Sequence, residues 1–232
     1  TQIAGALGFV TNFYEILSGG SYESQFIPHL FVHTWSLALE VHYYILWGLA
    51  VWFLAKKSRS LGQFRGMIFL ISTGIFLFSF LSMFVSSFFT KNFSSLYFSS
   101  WTHIFPFFAG TALATVSGVQ NVGANFKKLE QSWTMKQTIA TIGGGFALLI
   151  LLTFLLRFDN IFTYLVGFLL ATIAALAMIL GARVLHEKTP KLAEPIWVTF
   201  IADTSYGVYL FHWPFYIIFS QLMGNAGAVV LT

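Results

Sequence analysis

His33-Thr34-Trp35-Ser36-Leu37-Ala38-Leu39-Glu40 opens an apolar run that continues to Ala55. About 20 apolar residues cover the hydrocarbon core of a bilayer, so this run predicts a membrane-spanning helix. Glu40 then sits roughly two turns inside the span, where a carboxylate costs about 3 kcal/mol on insertion scales. Ionisable residues at such depth face the bundle interior and mark functional sites. At about 100° per residue, His33, Ser36, Glu40, Tyr44 and Trp47 share one face, with His42 opposite. A histidine and a carboxylate on one face suit a general base and its orienting partner. The same spacing also suits a polar seam that hydrogen-bonds neighbouring helices.

The rest of the chain extends this reading. Hydrophobic residues make up 57% of it and charged residues only 9%, against about 25% charged in soluble domains. An ordinary soluble domain is thereby excluded, and an all-α, polytopic transmembrane helix bundle is expected. The net charge is +4, but the basic residues sit in short loops between apolar runs, so no nucleic-acid partner is expected. With no cysteine, disulfides, thiolate metal sites and a cysteine nucleophile are excluded. No G-x-S-x-G elbow, Walker loop or H-E-x-x-H pattern occurs. His29 and His33 stand four apart, but Pro28 and the turn-like SGGSYES at 18–24 place His29 in a loop. No metal site is predicted.

Apolar runs fall at 4–17, 33–55, 66–89, 103–119, 137–156, 161–182 and 196–222, giving about seven spans. A further helix is expected to start near Met223. The loops at 56–65, 120–136 and 183–195 hold ten of the twelve Lys and Arg residues, leaving Lys91 and Arg157 for the alternate loops. The positive-inside rule makes the first set cytoplasmic, the second extracytoplasmic. The protein is therefore expected to be a multi-pass protein of the cell membrane, embedded in the lipid bilayer. The four-residue ridges Gly110, Ala114, Gly118 and Gly167, Ala171, Ala175 predict close helix contacts. The chain starts at Thr1 without a signal-peptide n-region and stops inside a rising apolar stretch, as expected of a piece of a larger membrane protein.

Two further stretches carry chemistry. In Asp203-Thr204-Ser205-Tyr206-Gly207-Val208-Tyr209-Leu210-Phe211-His212-Trp213-Pro214, the residues Ser205, Tyr209 and His212 share a face, and Tyr206, Tyr209 and Trp213 a neighbouring one. Pro214 cannot donate to the carbonyl of Leu210, so a kink is expected there. Broken helices at membrane depth often surround a site or cavity, although an aromatic interfacial belt would also explain Trp213. In Ser100-Trp101-Thr102-His103-Ile104-Phe105-Pro106, Pro106 is an ordinary helix start. His103 reads either as a site residue or as an interface histidine.

HTWSLALEVHYYILW at 33–47, THIFPFFAGTALA at 102–114 and TSYGVYLFHWP at 204–214 resemble, in that order, the acyltransferase 3 family of integral-membrane acyltransferases. The resemblance covers almost the whole chain and is closest to the membrane domains of Gram-positive peptidoglycan O-acetyltransferases. FVTNFYEILSGGSYES at 9–24 fits that subgroup too. It implies a bundle that takes acetyl groups from cytoplasmic acetyl-CoA, with no permanently bound cofactor, and passes them to an extracytoplasmic glycan. The acceptor step in that subgroup often uses an appended esterase-like domain. Residues 1–232 would then be one transmembrane acyltransferase domain, without the family's N-terminal helices or that outer domain. Where the family commonly reads Glu-Glu-Gln this chain has Glu40-Val41-His42, so only the first carboxylate carries over. An arginine often stands near the position of His103, and a proline often follows the tryptophan where Gly48 stands.

The expected catalytic residues are His33, Glu40, Ser205, Tyr206 and His212. His33 and Glu40 would handle protons or orient the acyl carrier, while Tyr206 or Ser205 would receive the acetyl group. Trp35, Ser36, His103 and Trp213 are expected to contact substrate. Glu40 and His33 should line a polar cavity opening outward, with Tyr206 and His212 close by. Spacing alone fits two rivals: a transporter using the same buried groups as a substrate or proton path, and a scaffold whose polar residues only join helices.

Overall fold

The computed structural model describes residues 2–18, 29–90, 93–118, 124–190 and 195–231. Residues 19–24 of the SGGSYES stretch, Pro28, Lys91 and Lys191 lie outside the described residues. Every regular element among the described residues is helical, as the all-α expectation requires. The elements are α1 (Gln2–Leu7), α2 (Thr11–Ser18), α3 (Trp35–Lys57), α4 (Leu61–Phe89), α5 (Phe93–Phe98), α6 (Ser100–His103), α7 (Phe105–Ser117), α8 (Ala124–Ser132), α9 (Met135–Leu155), α10 (Phe168–Lys188) and α11 (Ile196–Leu231). The chain divides into two compact units, Thr1–Tyr44 with Ala193–Thr232, and Ile45–Leu192.

Four helical stretches are long and apolar enough to cross a membrane among the described residues: Val32–Lys57, Leu61–Phe89, Met135–Leu155 and Thr163–Lys188. The expected count of about seven is not confirmed, for local reasons at two of the runs. The run at 4–17 is broken. Phe9, at φ 54°, stands where a glycine usually ends a helix, with Val10 N–H bonded to Gly5 O at 2.9 Å and Phe9 N–H to Ala6 O at 3.3 Å. That is a Schellman end, and it leaves helices of 6 and 8 residues. α7 has 13 residues, about 20 Å at 1.5 Å per residue, short of a hydrocarbon core about 30 Å thick. Gly118, at φ 72°, ends it in a conformation side chains resist. The separate helix expected near Met223 is instead the continuation of α11, 36 residues long with Pro214 inside it.

Other boundaries follow from caps. The Ser60 side chain accepts from Gln63 N–H and starts α4 five residues before its apolar run. Thr134 and Gln137 form a reciprocal capping box at the start of α9. A π-helical turn at Thr163–Gly167 precedes α10, anchored by Thr163 Oγ1 donating to Arg157 O at 2.7 Å and Tyr164 OH donating to Phe158 O at 2.9 Å.

Within the second unit, Met83, Leu96, Phe105 and Tyr164 form a buried cluster to which Phe76, Phe80, Phe93, Tyr97 and Phe168 pack. Phe93 stacks on Tyr164 at 4.9 Å. Small residues do bring segments together, at one of the two ridges read from the sequence: a Cβ at Gly167 would lie 2.5 Å from Leu156 Cδ2. A Cβ at Gly110 would meet nothing within 4 Å, and Gly118 is a helix end. The close approach of α9 and α10 is made by Gly145 of α9, whose added Cβ would lie 2.6 Å from Met178 Cγ and 2.9 Å from Ala174 O on α10. Gly181 of α10 returns the contact against Ile142 at 2.8 Å. Overpacking of this kind costs about 1–3 kcal/mol. Gly145→Ala should therefore lower the melting temperature of the detergent-solubilised protein, whereas Gly110→Ala should leave it within error. Equal effects would remove this account of the α9–α10 contact.

Candidate functional site

In the first unit the buried face of α2 is polar. Thr11, Asn12 and Glu15 are buried while Phe13 and Leu17 are exposed, the inside-out pattern of a bundle solvated by lipid. Thr34 Oγ1 donates to Phe31 O at 2.7 Å, so Thr11 is the donor in its 2.8 Å bond to Thr34 Oγ1. These bonds hold the 3-10 turn Val32–Thr34 that delivers His33 to the head of α3.

Pro214 organises what His33 meets. Lacking an N–H, it leaves the carbonyl of Leu210, four residues back, without its helical donor. His33 Nε2 takes that place at 3.1 Å. A carbonyl only accepts, so Nε2 carries the hydrogen and Nδ1 keeps its lone pair. That Nδ1 is buried and has no hydrogen-bond partner among the described residues. His212 is arranged in the same sense, its Nδ1 donating to Tyr209 O at 2.6 Å, which leaves Nε2 with its lone pair. The two imidazoles meet edge to face, centroids 5.3 Å apart. Each histidine is thus pinned by one N–H to a carbonyl of α11 and offers a base on its other nitrogen.

Tyr209 completes the cluster. Its hydroxyl donates to His33 O at 2.6 Å, so Ser36 Oγ, 2.6 Å away, donates to Tyr209. The Tyr209 ring lies 5.6 Å from that of His33. Glu40 and Tyr206 both interact electrostatically with Tyr209. Glu40 itself accepts from Tyr44 OH at 2.7 Å, one helical turn along the face read from the sequence. Trp213 Nε1 donates to His29 O at 3.0 Å, and Trp35 is buried at the start of α3.

His33, Ser36, His212 and Tyr209 are therefore in direct contact, with Glu40 and Tyr206 acting on the group. Ser205 and Tyr206 are exposed, and Ser205 Oγ donates to Ala202 O on its own helix at 2.8 Å. His103 belongs to the second unit, buried with its ring 4.6 Å from that of Phe168 and 5.2 Å from that of Tyr97. The cavities described, of about 550, 440 and 230 Å³, are lined by residues of the second unit; none is the polar cavity expected at His33 and Glu40.

Two features escaped the sequence reading. Tyr209 shares a face with Ser205 and His212, but spacing does not single it out over Tyr206. Glu15 was passed over inside an apolar run, although a buried carboxylate there is as costly as Glu40 would be. Its Oε2 lies 2.7 Å from His29 Nδ1.

The acyltransferase domain profile matches residues 3–231. Among curated relatives, "O-acetyltransferase OatA" of Staphylococcus aureus (strain NCTC 8325 / PS 47) is 29% identical over 211 residues, covering 90% of this chain and 33% of the relative. "Putative O-acetyltransferase SACOL0978" of Staphylococcus aureus (strain COL) is 30% identical over 218 residues, covering 91% of this chain and 34% of the relative. This chain thus spans about one third of the length of the curated relatives it matches. No solved structure matches it. A profile match running through α1 to α11, over the segments that carry the histidine and tyrosine cluster, places this chain in the acyltransferase 3 family.

Proposed function

We propose that this chain is the membrane part of an O-acetyltransferase that takes acetyl groups from cytoplasmic acetyl-CoA and delivers them to hydroxyls of an extracytoplasmic glycan, peptidoglycan. The observation carrying this reading is the pair His33 and His212, each held by one N–H to a carbonyl, with His33 Nδ1 buried and left without a hydrogen-bond partner among the described residues. A scaffold would use both nitrogens for hydrogen bonding; a base needs one left over. The O-acetyltransferase names of the relatives support the reaction class, and the subgroup resemblance supports the acceptor.

In the reaction, the Tyr206 oxygen attacks the thioester carbonyl of acetyl-CoA and its proton passes to a histidine of the cluster. The carbon–sulfur bond breaks, the departing thiolate takes the proton, and the acetyl group remains as a tyrosyl ester. A glycan hydroxyl then attacks that ester, the new carbon–oxygen bond forms, and the tyrosyl oxygen regains a proton. Tyr206 is preferred to Ser205 because the serine hydroxyl is committed to its own helix. Tyr209 is a positioning residue, its hydrogen committed to His33 O. Glu40, which accepts from Tyr44 OH and acts on Tyr209, is a positioning residue for the tyrosine side of the cluster.

Deleting the gene and measuring ester-linked acetate on purified peptidoglycan tests the acceptor. Loss of that acetate is expected. If acetate disappears from another envelope polymer and peptidoglycan is unchanged, the named acceptor is wrong.

Pro214→Ala tests how the site is built. An alanine N–H would compete for Leu210 O and loosen the hold on His33 while removing a helix-interior proline that costs about 3 kcal/mol. The full-length variant should be at least as heat-stable as wild type yet about tenfold less active, on the scale that small misplacements of catalytic groups cost. Unchanged activity would separate Pro214 from the placement of His33.

A further inference from the structure

The strongest feature outside the histidine and tyrosine cluster is the pair Glu15–His29. Glu15 is 1% exposed, and its Oε2 lies 2.7 Å from His29 Nδ1, while the His29 side chain keeps 12% of its surface exposed. The carboxylate acts as acceptor, so His29 Nδ1 carries the hydrogen and Nε2 keeps its lone pair. A buried carboxylate holding one imidazole nitrogen while the other stays basic is the arrangement that fixes a histidine's tautomer for proton transfer. The pair is tied to the cluster already described. Trp213, next to His212, donates through Nε1 to His29 O, and Leu30 N–H is held by Gln2 Oε1 at 3.1 Å. Burial pushes the Glu15 carboxyl above its ordinary range, opposed by the hydrogen bond and charge of His29. The other titratable ring beside His29 is Tyr14, at 6.1 Å.

A relay that accepts acetyl from one side and donates it on the other needs a base at each step. The His33–His212 pair supplies lone pairs for loading. We infer that Glu15–His29 is a second acid–base dyad, serving discharge: His29 Nε2 takes the proton of the acceptor hydroxyl as its oxygen attacks the carrier ester, and Glu15 positions the imidazole. This rests on the acyl-transfer reading above. In the step, the hydroxyl oxygen forms a bond to the acetyl carbon, the bond from that carbon to the carrier oxygen breaks, and the carrier oxygen takes up the proton His29 received. The turn at 29–34 carries both His29 and His33, so loading and discharge bases lie on adjoining chain.

The test uses the full-length protein with labelled acetyl-CoA and peptidoglycan fragments as acceptor, following label on the protein and on the glycan separately. Glu15→Gln and His29→Gln should load label at the wild-type rate and discharge it about 100-fold more slowly, the scale of general-base catalysis. Glu15→Asp should recover part of the discharge rate. Discharge at the wild-type rate in both glutamine variants overturns the proposal, as does an equal loss of loading and discharge, the pattern of a purely structural pair. A wild-type protein that never takes label contradicts the acyl-transfer reading itself, and the dyad's role with it.

Discussion

Replacing His33 with glutamine in the full-length protein is expected to lower glycan O-acetylation at least about 100-fold, the contribution typical of a positioned general base. The amide of His33→Gln can still donate to Leu210 O, the bond His33 Nε2 makes at 3.1 Å, but it has no basic nitrogen to replace the buried Nδ1. His33→Ala removes both and leaves the Leu210 carbonyl without a donor, so it should lose the same activity and some stability as well. An unsatisfied buried polar group costs about 1–3 kcal/mol. Membrane abundance and melting temperature, measured beside acetate on the glycan, separate the two. If His33→Gln keeps wild-type acetylation, the histidine is structural and the base lies elsewhere.

Tyr206→Phe should remove covalent acetyl label from the protein entirely, because a phenyl ring offers no oxygen to acylate. Ser205→Ala should label normally. The phenol of Tyr206 is exposed at the surface of its unit, so the loss of one oxygen should not unfold the protein. Protease mapping of the labelled peptide is the check. Label on Ser205, or undiminished label in Tyr206→Phe, would reassign the carrier.

How far the sequence could be read depended on distance along the chain. The face shared by His33, Ser36 and Glu40 follows from helical periodicity; Ser36 and Glu40 lie on α3, His33 in the turn just before it, and all three act on Tyr209. The kink expected at Pro214 pointed at the right carbonyl, but nothing local reveals that the donor supplied to Leu210 comes from a histidine 177 residues earlier. Tyr206 and Tyr209 lie roughly 60° apart around α11, too little for periodicity alone to decide which one meets α3. Glu15 was lost in the opposite way: its neighbours read as an apolar run, and only the Schellman turn at Phe9 shows that α2 presents a polar face of its own. Of the two ridges, Gly167 does sit tightly against Leu156 while Gly110 meets nothing within 4 Å; spacing cannot name the partner, and the α9–α10 approach at Gly145 and Gly181 is not legible from it.

An acyltransferase moves acetyl groups chemically, whereas a transporter would carry an acyl compound intact. The direct measurement reconstitutes the full-length protein in vesicles, supplies acetyl-labelled acetyl-CoA to the face bearing the basic loops, and encloses peptidoglycan fragments on the other. The account predicts label in ester linkage on the enclosed glycan, free CoA outside, and a transient labelled protein. Labelled acetyl-CoA recovered intact inside the vesicles, with neither protein nor glycan acetylated, would contradict it and make the protein a transporter.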